Sequence, residues 1–493
     1  MSHTQSLAYP WTRRRLLRTT AGVGIAAAGI HTFGGTHFFV PSRASAQTPV
    51  SGDDLAATAV DAWIYGYSLL SIGVTAQQAT NVTSPEGNRA PVNQIVSRRT
   101  FPDASFTEVV APNVDTLYSS AHLDLSDGPL VFQWPSLGQR YFLFPFLDAW
   151  SNVIITPGSR TTGQGAGTLI LAGPDWDGAT PAGIDLPTNA IGVRSPTNMV
   201  WFIGRIYSTG TDEDLAAVHA IQDQLKLVPL GVWGTDYAPP AGTVDPAIDM
   251  TTPPVAQVNA MDAATYFGRL AELMASNPPY PADAPFLARM ATLGLEPGQP
   301  FDFTTLDPAV RSALDDAPQA GLAHLMSDGP QAIPVKNGWN LALNAGDYGT
   351  DYLVRSYIAI VGLGANRVED AFYPNARLDS ADQALDGVGR YVVHFDSEPP
   401  VKGFWSLTAY TADRFLVPNP IDRFAVRGSG PLTRNGDGSF DLYLQAESPG
   451  SDREANWLPI PSSGPFSMTL RLYWPEEPAL DGSWVMPTIT KTG

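Results

Sequence analysis

FSMTLRLYW at residues 466–474 decides the fold of the C-terminal part of this chain. It is one of five short apolar runs after residue 380 that are separated by Gly, Pro, Asn and Asp; the others are RYVVHF (390–395), GFWSLTAYT (403–411), RFAVRG (423–428) and SFDLYLQAE (439–447). Runs of this length and spacing are typical of β-strands joined by tight turns. We therefore predict a jelly-roll-like β-sandwich over residues 376–493.

A similar pattern of short apolar runs separated by turn residues occupies residues 107–210. Examples are RYFLFPFLDAW (140–150) and NMVWFIGRIYS (198–208). An apolar-periodic segment at 51–80 predicts a long helix before these runs. TDEDLAAVHAIQDQL at 211–225 predicts a second helix, with Thr211 as its N-cap. We assign these elements to an N-terminal mixed β domain.

Residues 236–375 have a different character. A proline-rich stretch at 234–260 indicates a linker, because proline removes a backbone donor and breaks regular periods. Helical patterns follow it near 261–277, 283–293, 307–327 and 351–364. The fold class predicted for the whole chain is α+β and β-rich, with an N-terminal domain (47–235), a linker and helical region (236–375) and a C-terminal sandwich (376–493).

The first residues predict export. TRRRLLR at 12–18 contains the Arg13–Arg14 pair typical of twin-arginine signals, and a mildly apolar stretch follows it to residue 40. Ala44-Ser45-Ala46 is a small-residue cleavage site. We predict a signal peptide at 1–46 and a periplasmic or extracellular protein. An uncleaved anchor is the alternative.

Composition limits the classes of partner. Removal of residues 1–46 takes away five arginines and no acidic residue, which leaves 24 basic and 48 acidic residues. Such acidity argues against nucleic acid and anionic lipid surfaces. We predict a small-molecule or saccharide ligand, no nucleic acid and no membrane span in the mature chain, and leave open whether the protein is a homo-oligomer.

Local metal and cofactor motifs are absent from the sequence. There is no cysteine, and the four histidines after the signal (His122, His219, His324 and His394) have no metal-ligand spacing. Walker, G-x-G-x-x-G, H-E-x-x-H and G-x-S-x-G patterns are missing. We therefore predict no metal and no cofactor.

Four residues of the N-terminal domain are candidates for catalysis: Asp115, Tyr118, Arg140 and Asp148. Asp115 and Tyr118 follow Asn113, a candidate ligand-binding residue, and a carboxylate beside a phenol can share a proton; an Asx-turn is the alternative. Asp148 lies in an unusually apolar run, so it needs a partner or a raised pKa. Arg140 or Arg160 could pair with it, and a structural salt bridge is the alternative.

The C-terminal candidates are ligand-binding residues: Trp405, Tyr410, Arg423, Trp457 and Arg471. Ser406, Thr408 and Tyr410 share one face of a strand, which points either into a cavity or to solvent, and Trp405 lies on the other face. Arg423 and Arg471 could clamp an anion, with Asp422 and Asp441 as alternative partners of the arginines. Trp457 could stack on a flat ligand, although core packing is the alternative.

Longer motifs carry a resemblance. PNVDTLYSSAHLDLSDGP (112–129), GQRYFLFPFLDAWSNV (138–153), NPIDRFAV (419–426) and NWLPIPSSGPFSMTLRLYWP (456–475) resemble a tandem bacterial family whose halves are called domain of unknown function 1254 and domain of unknown function 1214. The resemblance implies a β-rich N-terminal domain, helical segments and a jelly-roll-like C-terminal domain. It implies no reaction.

Two functions stay open from the sequence. The first is an exported hydrolase or lyase that acts on a small organic molecule or saccharide, with Asp115 or Asp148 as the acid or base and Arg140 holding charge. The alternative is a non-enzymatic surface protein that binds carbohydrate or another small ligand. Jelly rolls serve both purposes, so the fold class cannot choose between them.

Overall fold

The computed structural model describes residues 52–107, 110–178 and 184–493, so the predicted signal at 1–46 lies outside the described residues. The α-helices of this part of the chain are α1 (Gly52–Thr80), α2 (Asp212–Gln222), α3 (Pro254–Asn259), α4 (Ala263–Ser276), α5 (Ala284–Met290), α6 (Pro308–Asp328), α7 (Tyr352–Gly362) and α8 (Glu477–Leu480). The predicted helices are confirmed. The predicted linker contains one helix that the sequence pattern did not indicate, α3.

The long helix α1 is the centre of the helical region. Trp63 and Tyr65 on opposite sides of it are at most 1% exposed, as in a helix surrounded by other elements. It shares a hydrophobic core with α4 and α6, including Leu270 and Leu314. From Asp54 to Thr80, α1 is long and apolar enough to cross a bilayer, and 78% of its most apolar window is buried inside the fold.

Helix α2 begins as predicted. The Thr211 hydroxyl accepts a hydrogen bond from the backbone N–H of Asp214 and caps the helix. Asp212, Glu213 and Asp214 lie in the first turn, where negative charge interacts favourably with the helix dipole.

The N-terminal domain contains two β-sheets. Its strands are β1 (Val96–Ser97), β2 (Thr116–Asp124), β3 (Leu130–Trp134), β4 (Phe142–Leu143), β5 (Phe146–Asp148), β6 (Val153–Ile155), β7 (Gly167–Ala172), β8 (Ile191–Arg194), β9 (Met199–Tyr207) and β10 (Lys226–Pro229). One sheet has the order β1-β2-β9-β5-β6, with β4 also on β9, and the other has the order β10-β3-β7-β8. Leu117 and Phe202 of the first sheet share a core with Phe132 of the second. Side chains alternate along a strand, so Tyr118 of β2 and its cross-strand neighbour Arg205 of β9 lie on the opposite, outer face.

The C-terminal domain is a sandwich of two sheets, as predicted. Its strands are β11 (Val335–Lys336), β12 (Trp339–Asn340), β13 (Ala371–Phe372), β14 (Asn375–Ala376), β15 (Tyr391–Phe395), β16 (Trp405–Thr411), β17 (Ala425–Arg427), β18 (Phe440–Gln445), β19 (Trp457–Pro459), β20 (Phe466–Tyr473) and β21 (Thr488–Lys491). The sheets have the orders β11-β12-β14-β20-β16-β17, with β13 also on β20, and β19-β18-β15-β21. Strands β11 to β13 and the first residue of β14 precede residue 376, so this sheet takes residues from the segment predicted to be linker and helices.

The two β domains meet directly. Val114 packs with Tyr410, Leu416 and Ala425 in one small cluster. A second cluster joins Tyr141 and Leu143 of the N-terminal domain to residues of β13 and β20. Residues that precede β2 and residues on the outer face of its sheet are therefore placed against β16, β17 and β20.

Candidate functional site

Charged and phenolic side chains collect where the outer face of the β2–β9 sheet meets the C-terminal domain. We call this group the interdomain site; its members are Asn113, Tyr118, Trp201, Arg205, Asn366, Tyr373, Arg471 and Tyr473. β2 and β9 supply Tyr118, Trp201 and Arg205, and β20 supplies Arg471 and Tyr473. Asn366 and Tyr373 come from the chain after α7. Tyr118, Trp201 and Tyr373 are partly exposed, whereas Arg205 and Arg471 are buried.

Arg205 holds the Tyr118 phenol. Its Nε–H donates to the Tyr118 hydroxyl oxygen at 3.2 Å, and Nη1 donates to Asn366 Oδ1 at 2.7 Å and to the Ile203 carbonyl at 3.0 Å. Nη2 donates to the Gly364 carbonyl at 3.2 Å, just beyond the C-terminus of α7. The guanidinium therefore meets neutral acceptors and the negative end of a helix dipole.

Asn113 links two phenols. Its amide nitrogen donates to the Tyr473 hydroxyl at 2.7 Å and to the Tyr118 hydroxyl at 3.3 Å. Its amide oxygen accepts the backbone N–H groups of Asp115 and Thr116, which is the Asx-turn given above as the alternative. The local turn and the contact across the domains use different atoms of the same side chain.

The pKa of Tyr118 differs in direction from the pKa values of Tyr373 and Tyr473. Burial alone would raise the pKa of Tyr118, but the Arg205 guanidinium, together with Arg471 and the Asn113 amide, holds it below its usual value. Burial raises the pKa of Tyr373 to about 12, and burial raises the pKa of Tyr473 well above its usual value. Tyr118 is the phenol of this group that ionises most readily.

Behind this group, the polar face of β16 is buried against the N-terminal domain. Arg471 donates to the hydroxyls of Thr408 and Tyr410 and to the Ala111 carbonyl. Among the described residues no carboxylate lies within ion-pairing distance of Arg471, so neither Asp422 nor Asp441 is its partner. Asp441 instead pairs with His394 at 2.7 Å.

Asp115 is fully buried and already paired. Its carboxylate accepts from Arg427 Nε at 2.9 Å and from the Ser406 hydroxyl. Both oxygens of this carboxylate are therefore engaged by groups of the protein itself, one by a guanidinium and one by a hydroxyl. The hydrogen bond between Asp115 and Tyr118 that the sequence suggested is not formed.

Trp201 lies beside Tyr118 on the outer face of the sheet. Its indole N–H donates to Ser120 Oγ at 2.9 Å, and its ring stacks on His122 at 5.3 Å. Burial lowers the pKa of His122 to about 4, so this histidine is neutral near pH 7. Gly364, at φ +84°, passes over Trp201 so closely that a Cβ there would lie 2.8 Å from the ring.

Asp148 lies elsewhere, between the sheet and the helical region. Its carboxylate accepts the Tyr280 hydroxyl and the backbone N–H groups of Trp150 and Asn152. Neither predicted partner pairs with it, because Arg140 binds Asp214 and Arg160 binds Asp370. Burial raises the pKa of Asp148 to about 6.

Arg140 is bound to Asp214 through two hydrogen bonds of 3.0 and 2.5 Å and holds the pKa of that carboxyl far below its usual range. It borders an open groove of about 540 Å³ between the domains, lined also by Tyr141, Tyr207 and Phe404. Tyr473 of the interdomain site stacks on Phe404 at 4.1 Å, and neither Tyr473 nor Tyr118 lines this groove. The structure thus places Arg140 outside the interdomain site.

Three predicted ligand-binding residues have structural roles. Trp405 is 2% exposed and stacks on Phe395 in the sandwich core. Trp457 is also 2% exposed and donates to the Gln445 carbonyl, so no face is free to stack on a ligand. Arg423 donates to the carbonyls of Glu454 and Trp457, which ties a loop to the sandwich instead of binding an anion.

Sequence reasoning missed Trp201, Arg205, Asn366 and Tyr373. Arg205 could have been noticed because it is the one charged residue within NMVWFIGRIYS. An arginine buried in an apolar strand needs hydrogen-bond or charged partners. Asn366 and Tyr373 lie in irregular chain and have no local signal. Among the described residues, no group of three His, Cys, Asp or Glu side chains is arranged to hold a metal ion.

Comparison with known proteins identifies the family. Residues 92–229 match the family described as protein of unknown function (DUF1254), and residues 370–477 match that described as protein of unknown function (DUF1214). This chain is a tandem DUF1254–DUF1214 protein. No curated protein matches it. The interdomain site lies where the DUF1254 part, with Tyr118 and Arg205, meets the DUF1214 part, with Tyr373 and Arg471.

A solved structure shares the fold of this DUF1254–DUF1214 protein. The VPA0106 protein from Vibrio parahaemolyticus is similar over 89% of this chain and 100% of its own, with a TM-score of 0.64 and 24% identity. An uncharacterized protein from Burkholderia cenocepacia matches 90% of this chain and 93% of its own, with a TM-score of 0.43 and 14% identity.

Proposed function

We propose that this protein is an enzyme that acts on a small organic molecule in the interdomain site, with the Tyr118 phenolate as the base. The observation that carries the proposal is a partly exposed phenol whose pKa is lowered by the adjacent Arg205 guanidinium. A base works best when its pKa approaches the working pH. A lowered pKa and some exposure are both needed for proton transfer to a ligand.

Phenol chemistry replaces the carboxylate chemistry expected from the sequence. Asp115 is paired with Arg427, and Asp148 accepts three hydrogen bonds at a separate place. Tyr118 receives N–H donors from Arg205 and Asn113, which stabilise the oxygen as an anion before the proton arrives. A phenolate so placed either removes a carbon-bound proton, as in a lyase, or activates water, as in a hydrolase.

The first test measures Tyr118 directly. The ultraviolet absorbance of phenolate is followed against pH in the wild-type protein and in Tyr118→Phe. The difference should contain one tyrosine that titrates below the ordinary pKa of about 10. Arg205→Met should move this titration upward, because the largest charge that favours the phenolate is removed. A Tyr118 titration at or above pH 10 in the wild type contradicts the proposal.

The second test is catalytic. For any substrate found by screening small organic acids, esters and saccharides, Tyr118→Phe should lower kcat at least about 100-fold, as expected for loss of a general base. Tyr207→Phe is the matched control, because Tyr207 is also a partly exposed tyrosine but borders the neighbouring groove. Equal activity of Tyr118→Phe and wild type would remove Tyr118 from the mechanism.

Export through the twin-arginine pathway belongs to the same proposal. The support is the Arg13–Arg14 motif, the apolar stretch and Ala44-Ser45-Ala46. Arg13→Lys combined with Arg14→Lys should retain the protein in the cytoplasm. N-terminal sequencing of exported protein should begin near Gln47, whereas a protein that keeps residues 1–46 would point to the anchor.

A further inference from the structure

We propose that the interdomain site takes a small planar carboxylate, such as an aromatic acid, with its carboxylate at Arg205 and its flat body against Trp201, Tyr118 and Tyr373. This inference rests on the proposed function for its location and names the class of ligand that the site recognises. It follows from charge and from surface, which are independent observations.

The charge of the site is unbalanced. Arg205 and Arg471 are 5% and 3% exposed, and neither has a carboxylate within ion-pairing distance among residues 52–107, 110–178 and 184–493. Burial of a guanidinium without a counter-charge is costly even when its hydrogen bonds are made. The charge of Asp115 favours the ionised form of Arg471, but the ion pair of Asp115 is with Arg427 at 2.9 Å. The three guanidiniums exceed the one carboxylate by two charges while Tyr118 is neutral and by one charge when it is a phenolate, so positive charge remains that favours an anionic ligand.

The contacts of Arg205 show where such an anion fits. Apart from the Tyr118 hydroxyl, its partners are the Asn366 amide and the carbonyls of Ile203 and Gly364. These are neutral acceptors that a carboxylate outcompetes, because charge-assisted hydrogen bonds are roughly twice as strong. Asn366 Oδ1, at 2.7 Å from Nη1, occupies a position that suits one carboxylate oxygen.

The accessible surface beside Arg205 is aromatic. Trp201, Tyr118 and Tyr373 are partly exposed, and Trp201 is held in place by Ser120, by stacking on His122 and by the close approach of Gly364. The parts of these rings that remain exposed favour offset or edge contacts with another flat ring. A saccharide would require several free polar side chains, whereas the Ser120 hydroxyl and the Asn366 amide are already engaged. A flat, unsaturated acid matches the surface better.

The test compares benzoate with benzamide, which has the same shape and no charge. Binding is measured by titration calorimetry and by quenching of tryptophan fluorescence. Wild type should bind benzoate about 10- to 100-fold more tightly than benzamide, the factor expected for hydrogen bonds to a charged group. Arg205→Met should remove this preference, and Arg140→Met, which changes an arginine already paired with Asp214, should keep it. Equal affinity for the two probes in wild type overturns the inference.

Asn366→Asp supplies a second variant that should fold. It places a carboxylate beside Arg205 Nη1 and provides the missing counter-charge within the chain itself. Thermal stability should increase and benzoate affinity should fall at least 10-fold, while benzamide affinity changes little. Unchanged benzoate binding in Asn366→Asp would show that the carboxylate does not lie at Arg205.

The pH dependence separates this inference from the proposed function. A carboxylate beside Tyr118 disfavours the phenolate, so benzoate affinity should fall as the pH rises through the pKa of Tyr118. Tyr118→Phe should lose that dependence and keep the preference over benzamide. Preference for benzoate with an ordinary Tyr118 pKa would refute the phenolate base and support the ligand class. A lowered Tyr118 pKa without that preference would refute only the ligand class.

Discussion

Asp148→Asn should stabilise the protein relative to wild type by an amount that grows as the pH rises from about 4 to about 6 and then levels off. Asp148 is fully buried, and burial raises its pKa to about 6, whereas the unfolded chain has the ordinary value of about 3.9. The folded state therefore favours the protonated form. The protonated Asp148 carboxyl contributes fully to the stability of wild type below pH 3.9. This contribution is lost as the pH rises through the folded-state pKa of about 6. A difference of about two pKa units corresponds to roughly 3 kcal/mol.

The variant keeps the geometry of the site. Asp148 Oδ1 accepts the N–H groups of Trp150 at 2.8 Å and Asn152 at 2.9 Å, and an amide oxygen can accept both. The amide nitrogen would face the Tyr280 oxygen in place of a charged acceptor.

The assay for this variant is urea unfolding of both proteins at several pH values between 4 and 8. The free-energy difference between them cancels the titration of all other groups. Between pH 4 and pH 8, the unfolding free energy of Asp148→Asn should increase relative to that of wild type by up to about 3 kcal/mol. A difference that does not change with pH, or one that turns against the variant as the pH rises, refutes a raised pKa at Asp148.

Three further predictions concern stability. Arg427→Met should lower the free energy of unfolding by about 3–5 kcal/mol, because it leaves the Asp115 carboxylate buried without its ion pair. In chemical denaturation, the double variant with Asp115→Asn should recover most of this stability. Gly364→Ala should lower the free energy of unfolding by at least about 1 kcal/mol and alter the fluorescence of Trp201, since φ is +84° and the new Cβ would lie 2.8 Å from that ring. Tyr348→Phe should be neutral or stabilising in thermal unfolding, because the hydroxyl is buried with no hydrogen-bond partner among the described groups; a loss above about 1 kcal/mol would mean that the hydroxyl is bonded.

Local features could be predicted well from the sequence. The start of α2 after Thr211 follows from an N-cap residue and an acidic first turn. The Asx-turn at Asn113 follows because an asparagine side chain can accept a hydrogen bond from the backbone N–H two residues later. The same reasoning failed for salt bridges. Arg140 was matched with Asp148 because they are close along the chain, but its partner Asp214 lies 74 residues away. Long side chains choose partners by spatial distance, which the order of residues does not contain.

The interdomain site was predicted only in parts. Asn113 and Tyr118 were selected for their residue types, and Arg471 was selected as a charge within an apolar strand. The bond between Asn113 and Tyr473 spans 360 residues, so no local pattern could place them together. Arg205 was overlooked because a single arginine in a strand does not indicate which phenol it will meet.

The sequence by itself determined the fold class, helices α1, α2 and α4 to α7, and strands β15 to β18 and β20 of the sandwich, because caps, turns and periodicity act over a few residues. It also determined that Ser406, Thr408 and Tyr410 share one face of β16. Only the tertiary structure decided what that face meets. It points neither to solvent nor into a cavity of the C-terminal domain; it is buried against the segment that carries Asp115. A strand's pattern specifies which residues share a face, and the surface packed opposite decides whether that face becomes solvent-exposed, core or site.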